Sequence, residues 1–142
     1  MTNSALQDFT NDELEQEALV TTINAFAKLC AQQAQKSGFS EDPDRIRLAL
    51  QPRPNDLAWF ESCELQAELA RIGSEVGEAV EAVRKPAPDH HLPQFDNLVV
   101  ELADVLIRIG DTAGRRNMPL GEAIVSKMLY NASRPRKHGK DS

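Results

Sequence analysis

The chain is poor in the features that would bring a protein to a membrane or to nucleic acid. Of its 142 residues, 22 are acidic and 16 basic, and the formal net charge of −6 argues against sequence-independent binding to nucleic acid polymers. No apolar run is long enough to span a bilayer, and the first residues lack the basic start and apolar core of a secretory signal. We therefore expect a cytoplasmic protein with no membrane partner.

Cysteine and histidine are also scarce. The two cysteines, Cys30 and Cys63, have no CxxC or metal-ligand spacing, and we expect both to be buried, reduced thiols. His90 and His91 stand together in a proline-rich segment, where we expect them to be exposed. Thiolates and imidazoles therefore offer no zinc or copper site.

Hydrophobic periodicity, helix caps and helix breakers predict four helices and no strand, hence an all-α fold. The segment between the first two helices is rich in proline and predicts a connector with one helical turn around residues 46–50. Short connections between the last three helices favour antiparallel neighbours, as in a four-helix bundle, here with an extra-long N-terminal helix. The predicted helices run from after Thr10 to before Gly38, from Asn55 or Asp56 to about Arg84, from roughly Gln94 to Ala113, and from Pro119 to about Ser133.

The domain organisation follows from this pattern and from the length of the chain. Residues 1–142 predict one helical domain, in which 1–10 and 135–142 are flexible and about 55–134 form the functional core. The third predicted helix is apolar around more than half of its circumference and should be buried. A small bundle can cover such a helix most economically with a second subunit, so we expect an oligomer.

Two acidic pairs carry the strongest chemical signal. The sequence SEVGE provides Glu75 and Glu78, and ELAD on the apolar helix provides Glu101 and Asp104. In each pair the i, i+3 spacing places the Cβ atoms about 5–6 Å apart on one helix face. Four carboxylates facing one another across antiparallel helices would repel unless a cation lay between them. The pattern therefore predicts a metal site.

The chemistry of the predicted ligands indicates which metal. An all-oxygen set favours Mg²⁺, with Mn²⁺ as a substitute, because Mg²⁺ takes few carboxylates and completes its shell with water and phosphate oxygens. Di-iron bundles use Glu-x-x-His pairs, whereas the second members here are Glu78 and Asp104. The plain alternative is a solvated acidic face, and for Glu64 and Glu68 an exposed i, i+4 role is preferred to a supporting role at the site.

Basic residues follow the acidic pairs in the order that a phosphate site requires. Lys127 would act as a point charge on a rigid helix, while Arg134 could bind phosphate oxygens through two parallel hydrogen bonds. A merely solubilising tail is the alternative for the residues beyond Pro135. That tail adds three further candidates for phosphate contact: Lys137, His138 and Lys140.

Three segments together, SEVGEAVEAVRK, ELADVLIRIGDTA and SKMLYNASRPRKHGK, resemble the MazG-like all-α nucleoside triphosphate pyrophosphohydrolases, relatives of dimeric dUTPases and phosphoribosyl-ATP pyrophosphohydrolases. The resemblance covers residues 59–140 approximately. It implies that the two acidic pairs bind Mg²⁺, that Asn131 completes the coordination or orients a metal-bound water, and that Lys127 and Arg134 contact phosphates. It also implies a homodimer or homotetramer that cleaves (d)NTP between the α and β phosphates, giving (d)NMP and pyrophosphate, in nucleotide-pool housekeeping.

The resemblance leaves the general base and the base pocket open. Either Glu75 or Glu78 could take the proton of the attacking water, and the sequence does not choose between them. Ser74 stands where many relatives have another glutamate, and Arg108 stands where some have an aromatic residue for base stacking. Because aromatic residues are scarce, Trp59 and Arg108 are the candidates for the base pocket.

Two other functions fit the same residues. A noncatalytic helical module could bind Mg²⁺ or a nucleotide for regulation or interaction, although it would not require Lys127, Asn131 and Arg134 beside four acids. An enzyme of the same kind could instead act on phosphoribosyl-ATP or on an alarmone.

Overall fold

A computed structural model describes residues 4–134 of the chain, with side chains from residue 8 onward. Within this part the chain is all-helical, as predicted, and an isolated bridge between Pro88 and Asp96 closes the loop between the fourth and fifth helices. No helix in the described part is long and apolar enough to cross a bilayer. The six helices are α1 (Ser4–Asn11), α2 (Glu13–Lys36), α3 (Glu41–Leu50), α4 (Pro54–Arg84), α5 (Asn97–Arg115) and α6 (Leu120–Ala132).

The structure has six helices, two more than the four that the sequence predicted. Short α1 precedes α2, and the N-cap of α2 is Asp12 rather than Thr10, because the Asp12 carboxylate accepts hydrogen bonds from the amides of Leu14 at 2.9 Å and Glu15 at 3.0 Å. The connector expected to hold one helical turn is the ten-residue α3. Its acidic first turn suits the positive end of the helix dipole, and Pro43 fits in that turn because amides there have no intrahelical acceptor.

The close packing of α2 on α5 depends on two glycines, and α5 also packs against α4. A Cβ atom at Gly110 would lie 2.8 Å from Sγ of Cys30, and one at Gly114 would lie 2.2 Å from the carbonyl oxygen of Ala27. Any side chain at either position would force the helices apart. The two glycines therefore set the distance between α2 and α5.

The buried part of the single chain is small. Helix α5 was expected to be buried with the help of a second subunit, and within one chain Val99, Leu102 and Leu106 are exposed along one face. Cys30 is buried as expected, whereas Cys63 is exposed, contrary to expectation. The apolar core of the described residues consists of small side chains: Ala27, Cys30, Ala79, Ala82, Ala113 and Val125.

Glu64 and Glu68, expected at the surface, lie in a buried ion network between α3, α4 and the end of α5. The side chain of Glu68 is 2% exposed and accepts hydrogen bonds from Arg115 at 2.8 Å and Arg116 at 2.9 Å. The side chain of Glu64, 8% exposed, pairs with Arg47 and Arg116. The prediction that these two glutamates are exposed is therefore wrong. The spacing of residues within α4 does not show that arginines of α3 and of the end of α5 pair with them.

Removing the Glu68 carboxylate should destabilise the fold strongly. Glu68→Ala leaves two partly buried guanidinium groups short of a partner, and we expect it to lower the free energy of unfolding by about 3 kcal/mol. Glu81→Ala is the matched control, because Glu81 forms an exposed pair with Lys85 and should change stability by no more than about 0.5 kcal/mol. Urea denaturation followed by circular dichroism measures both. Equal effects of the two variants would contradict a stabilising role for the network.

Candidate metal and phosphate site

The structure brings three of the four predicted metal ligands together. One carboxylate oxygen from each of Glu75, Glu78 and Glu101 lies within 4.8 Å of the others. The two helices that carry them are antiparallel, because Glu68 contacts Arg115 while Glu75, one turn or more further along α4, contacts Arg108 further back along α5. This arrangement aligns the acidic pairs of α4 and α5 opposite each other.

Asp104 is not in that group of three, but it is electrostatically coupled to it. Burial raises the pKa of Asp104, and the neighbouring charge of Glu75 raises it further, while Arg108 opposes the shift. Burial likewise raises the pKa of Glu101, with added repulsion from Glu78, Asp104 and Glu75. The site therefore concentrates negative charge that a cation would stabilise.

Two side chains at the edge of the cluster reduce this repulsion. Arg108 donates a hydrogen bond from Nε to Oε1 of Glu75 at 2.8 Å. Asn97, at the start of α5, bonds to Glu101 and lowers the pKa of that carboxyl in opposition to the larger raising effects. These contacts leave most carboxylate oxygens available to a ligand.

The donor set fits Mg²⁺ or Mn²⁺ on chemical grounds. All the ligand atoms are carboxylate oxygens, which hard divalent cations prefer, and no imidazole or thiolate joins the group within the described residues. Glu75, Glu78 and Glu101 would hold the ion, and Asp104 adds negative charge beside them.

A cavity of about 630 Å³ opens beside the acidic cluster. Its lining includes Glu75 from the cluster and the neighbouring Asp104, together with Arg71 and Arg108. This combination of carboxylates and arginines is the one that a metal-phosphate complex requires. A smaller cavity of about 300 Å³ lies on the side of Glu78 and Glu101.

Within the single chain, the phosphate-binding residues predicted on the last helix do not lie at the acidic cluster. Helix α6 packs on α2 and α1, and among the described residues Lys127, Asn131 and Arg134 line neither cavity of the acidic cluster. Lys127 and Arg134 instead lie over the ring of Tyr130, at 4.8 Å and 5.7 Å from its centroid. Three further predicted contacts lie outside the described residues: Lys137, His138 and Lys140.

The two base-pocket candidates occupy different places. Arg108 lines the larger cavity, whereas Trp59 is 71% exposed and does not line it. Phe39 and Arg71 line this cavity, and sequence reasoning missed both. Arg71 could have been found from its spacing, since it lies four residues, about one turn, before Glu75. Phe39 gives no such signal, because only tertiary packing brings it to the site.

Comparison with known proteins identifies no relative of the chain. No family model, curated protein or solved structure matches the chain. Its function must therefore be inferred from the site residues themselves.

The raised pKa values of Glu101 and Asp104 predict a pH-dependent stability in the presence of chelator. A carboxyl whose pKa is raised by folding binds its proton more tightly in the folded state, so stability falls as the pH rises through its range. Glu101→Gln removes the ionisable group and with it this fall in stability. The variant should therefore be more stable than the parent at pH 7, where Glu101 is ionised, and no more stable than the parent at pH 4. Denaturation at both pH values in EDTA tests this.

Added Mg²⁺ should reverse the order of stability, because the ion binds the intact cluster and not the variant. Glu81→Gln, outside the cluster, serves as the control and should show neither effect. We compare the stability of Glu101→Gln with that of the parent at each pH. If the difference is the same at pH 7 as at pH 4, the ionised Glu101 carboxyl does not destabilise the fold, and the prediction is wrong.

Proposed function

We propose that the chain is a Mg²⁺-dependent nucleoside triphosphate pyrophosphohydrolase, which cleaves (d)NTP between the α and β phosphates to give (d)NMP and pyrophosphate. One observation carries the proposal: Glu75, a member of the acidic cluster with Glu78 and Glu101, lines a cavity together with Arg71 and Arg108. A carboxylate of the cluster and two guanidinium groups for the phosphates thus share one cavity of a size that suits a nucleotide.

The carboxylates divide the work of hydrolysis. When bound, Mg²⁺ lowers the pKa of a coordinated water and offsets charge on the phosphates. Glu78 is exposed and makes no ion pair among the described residues, whereas Glu75 is paired with Arg108. Glu78 is therefore the better placed of the two to accept the proton of the attacking water, and Arg108 holds Glu75 in position.

Two arginines are suited to bind the phosphates within one chain. Arg71 is exposed and forms no ion pair in the described part, so its guanidinium is available to a ligand. Arg108 is exposed apart from its one contact with Glu75. Arg115, by contrast, is engaged by Glu68 and Asp111 and is not free to bind phosphate. The charge available to the substrate therefore lies at the Glu75 end of the cavity.

A second copy of the chain would complete the site and the core. Exposed apolar side chains follow one face of α4, at Leu69, Val76 and Val80, and one face of α5, at Leu102 and Leu106. Contact between copies would bury these faces, and it is the route by which α6 residues could reach the cluster of a partner. The proposed enzyme is thus a homodimer or homotetramer, with Lys127, Asn131 and Arg134 supplied across the interface.

The reaction products test this proposal directly. Incubating the chain with NTPs and dNTPs plus Mg²⁺ should release pyrophosphate and not orthophosphate. Glu101→Gln should reduce that release at least about 100-fold, because it removes a metal ligand. Glu81→Gln, which replaces an exposed acid outside the cluster, should leave it unchanged.

The other outcomes separate the alternatives. Orthophosphate release would contradict cleavage between the α and β phosphates. Turnover of phosphoribosyl-ATP or of an alarmone alone would keep the chemistry and change the substrate. No turnover of any of these compounds, with Mg²⁺-dependent nucleotide binding retained, would favour a noncatalytic regulatory module.

Sedimentation velocity at micromolar concentration tests the proposed assembly. The parent chain should sediment as a dimer or larger, and Leu106→Glu, which places a charge on the exposed face of α5, should shift it towards monomer. Leu14→Glu provides the control, since Leu14 is exposed at the start of α2, away from both faces. A parent chain that sediments as a stable monomer would overturn the assembly.

A further inference from the structure

The cavity beside the acidic cluster is also lined by residues that the proposed chemistry does not use. Its lining along α4 extends from Glu75 back to Glu64, eleven residues, or about 16 Å at 1.5 Å per residue. The facing wall comes from the end of α2 and the turn that follows it, at Gln33, Ala34 and Phe39. This wall is neutral, in contrast to the charged floor provided by α4 and α5.

We propose that Phe39 is the stacking platform for the base of the triphosphate, whose phosphates lie at the end of the cavity formed by Glu75, Arg71 and Arg108. The inference rests on the proposed function and specifies where that site holds its nucleoside. Phe39 is the single aromatic side chain among the described residues that line the cavity. A base attached to phosphates held by the arginines can reach this neutral wall because the cavity is continuous.

The backbone holds Phe39 in a defined place. Gly38 has a φ of +81°, which reverses the chain at the end of α2. The amide of Phe39 donates to the carbonyl of Ala34 at 3.1 Å and that of Gly38 to Gln35 at 3.0 Å, the two bonds of a Schellman motif. Ser40, buried, begins the next helix directly afterwards. The ring is thus presented from a fixed turn.

The exposure of the ring indicates a ligand. An apolar residue at this position of a Schellman motif ordinarily packs back on the helix, here on Ala34. Yet Phe39 is 74% exposed, so most of the ring is left uncovered by the chain. A ring on a fixed turn, open at the wall of a polar cavity, suits the face of a nucleobase, which every base offers.

Gln33 provides the polar partner on the same wall. Its amide can both donate and accept hydrogen bonds, so it can contact the edge of a base that lies on Phe39. Neither side chain carries charge, so the wall does not compete with the arginines for the phosphates. The cavity thus offers chemically different surfaces to the base and to the phosphates.

Kinetics with and without a base on the substrate test the platform. Phe39→Ala should raise the KM for (d)NTPs about tenfold to hundredfold, the effect of losing one base stack. Inorganic triphosphate, which has the phosphates and no base, should inhibit Phe39→Ala and the parent equally. Phe39→Trp should restore the parent KM, and Leu48→Ala, which removes an exposed apolar side chain outside the cavity, should leave it unchanged.

The outcomes distinguish failure of the platform from failure of the enzyme. An unchanged KM in Phe39→Ala, or an equal loss of affinity for inorganic triphosphate, would overturn the platform while leaving pyrophosphohydrolysis intact. If the parent turns over no triphosphate, calorimetric titration with Mg²⁺-nucleotides replaces kinetics. Binding that weakens in Phe39→Ala then supports the platform as a nucleotide site, and absence of binding in the parent overturns it.

Discussion

Pairing of Glu68 with Arg115 and Arg116 is the interaction on which the candidate site depends. It joins the first half of α4 to the last turn of α5, and since both helices are rigid, it fixes their register over the following turns. A shift along either helix would separate Glu75 and Glu78 from Glu101. The buried network thus holds the helices that carry the acidic cluster, and it engages two arginines that would otherwise be open to an anion.

Charge is distributed along the α4–α5 pair in two regions of opposite character. At the Glu64–Arg115 end, acids and arginines are matched and mostly buried, so the free energy of desolvation is offset by ion pairs. At the Glu75–Glu101 end, acids exceed bases, and the pKa values of Glu101 and Asp104 are raised by burial and further by repulsion from neighbouring carboxylates. The first region provides structure, and the second is where a cation and its phosphates would be stabilised.

The sequence predicted what local periodicity encodes and missed what tertiary contact decides. The i, i+3 spacing of Glu75 with Glu78 and of Glu101 with Asp104 was enough to predict two acidic helix faces, three of whose carboxylates the structure brings together. The burial of Glu68 was missed because its arginine partners lie on another helix. The apolar composition of α5 indicated a face that must be covered, but composition alone does not say whether the same chain or a partner covers it.

The glycines at the contact between α2 and α5 influence the size of the ligand that the cavity can hold. Because Gly110 and Gly114 allow α2 to approach closely, they determine how far the wall that bears Phe39 stands from the floor that bears Arg108. The dimensions of the cavity therefore depend on two glycines that do not line it. Variation in selectivity among chains of this design could arise there, with every ligand-contacting side chain unchanged.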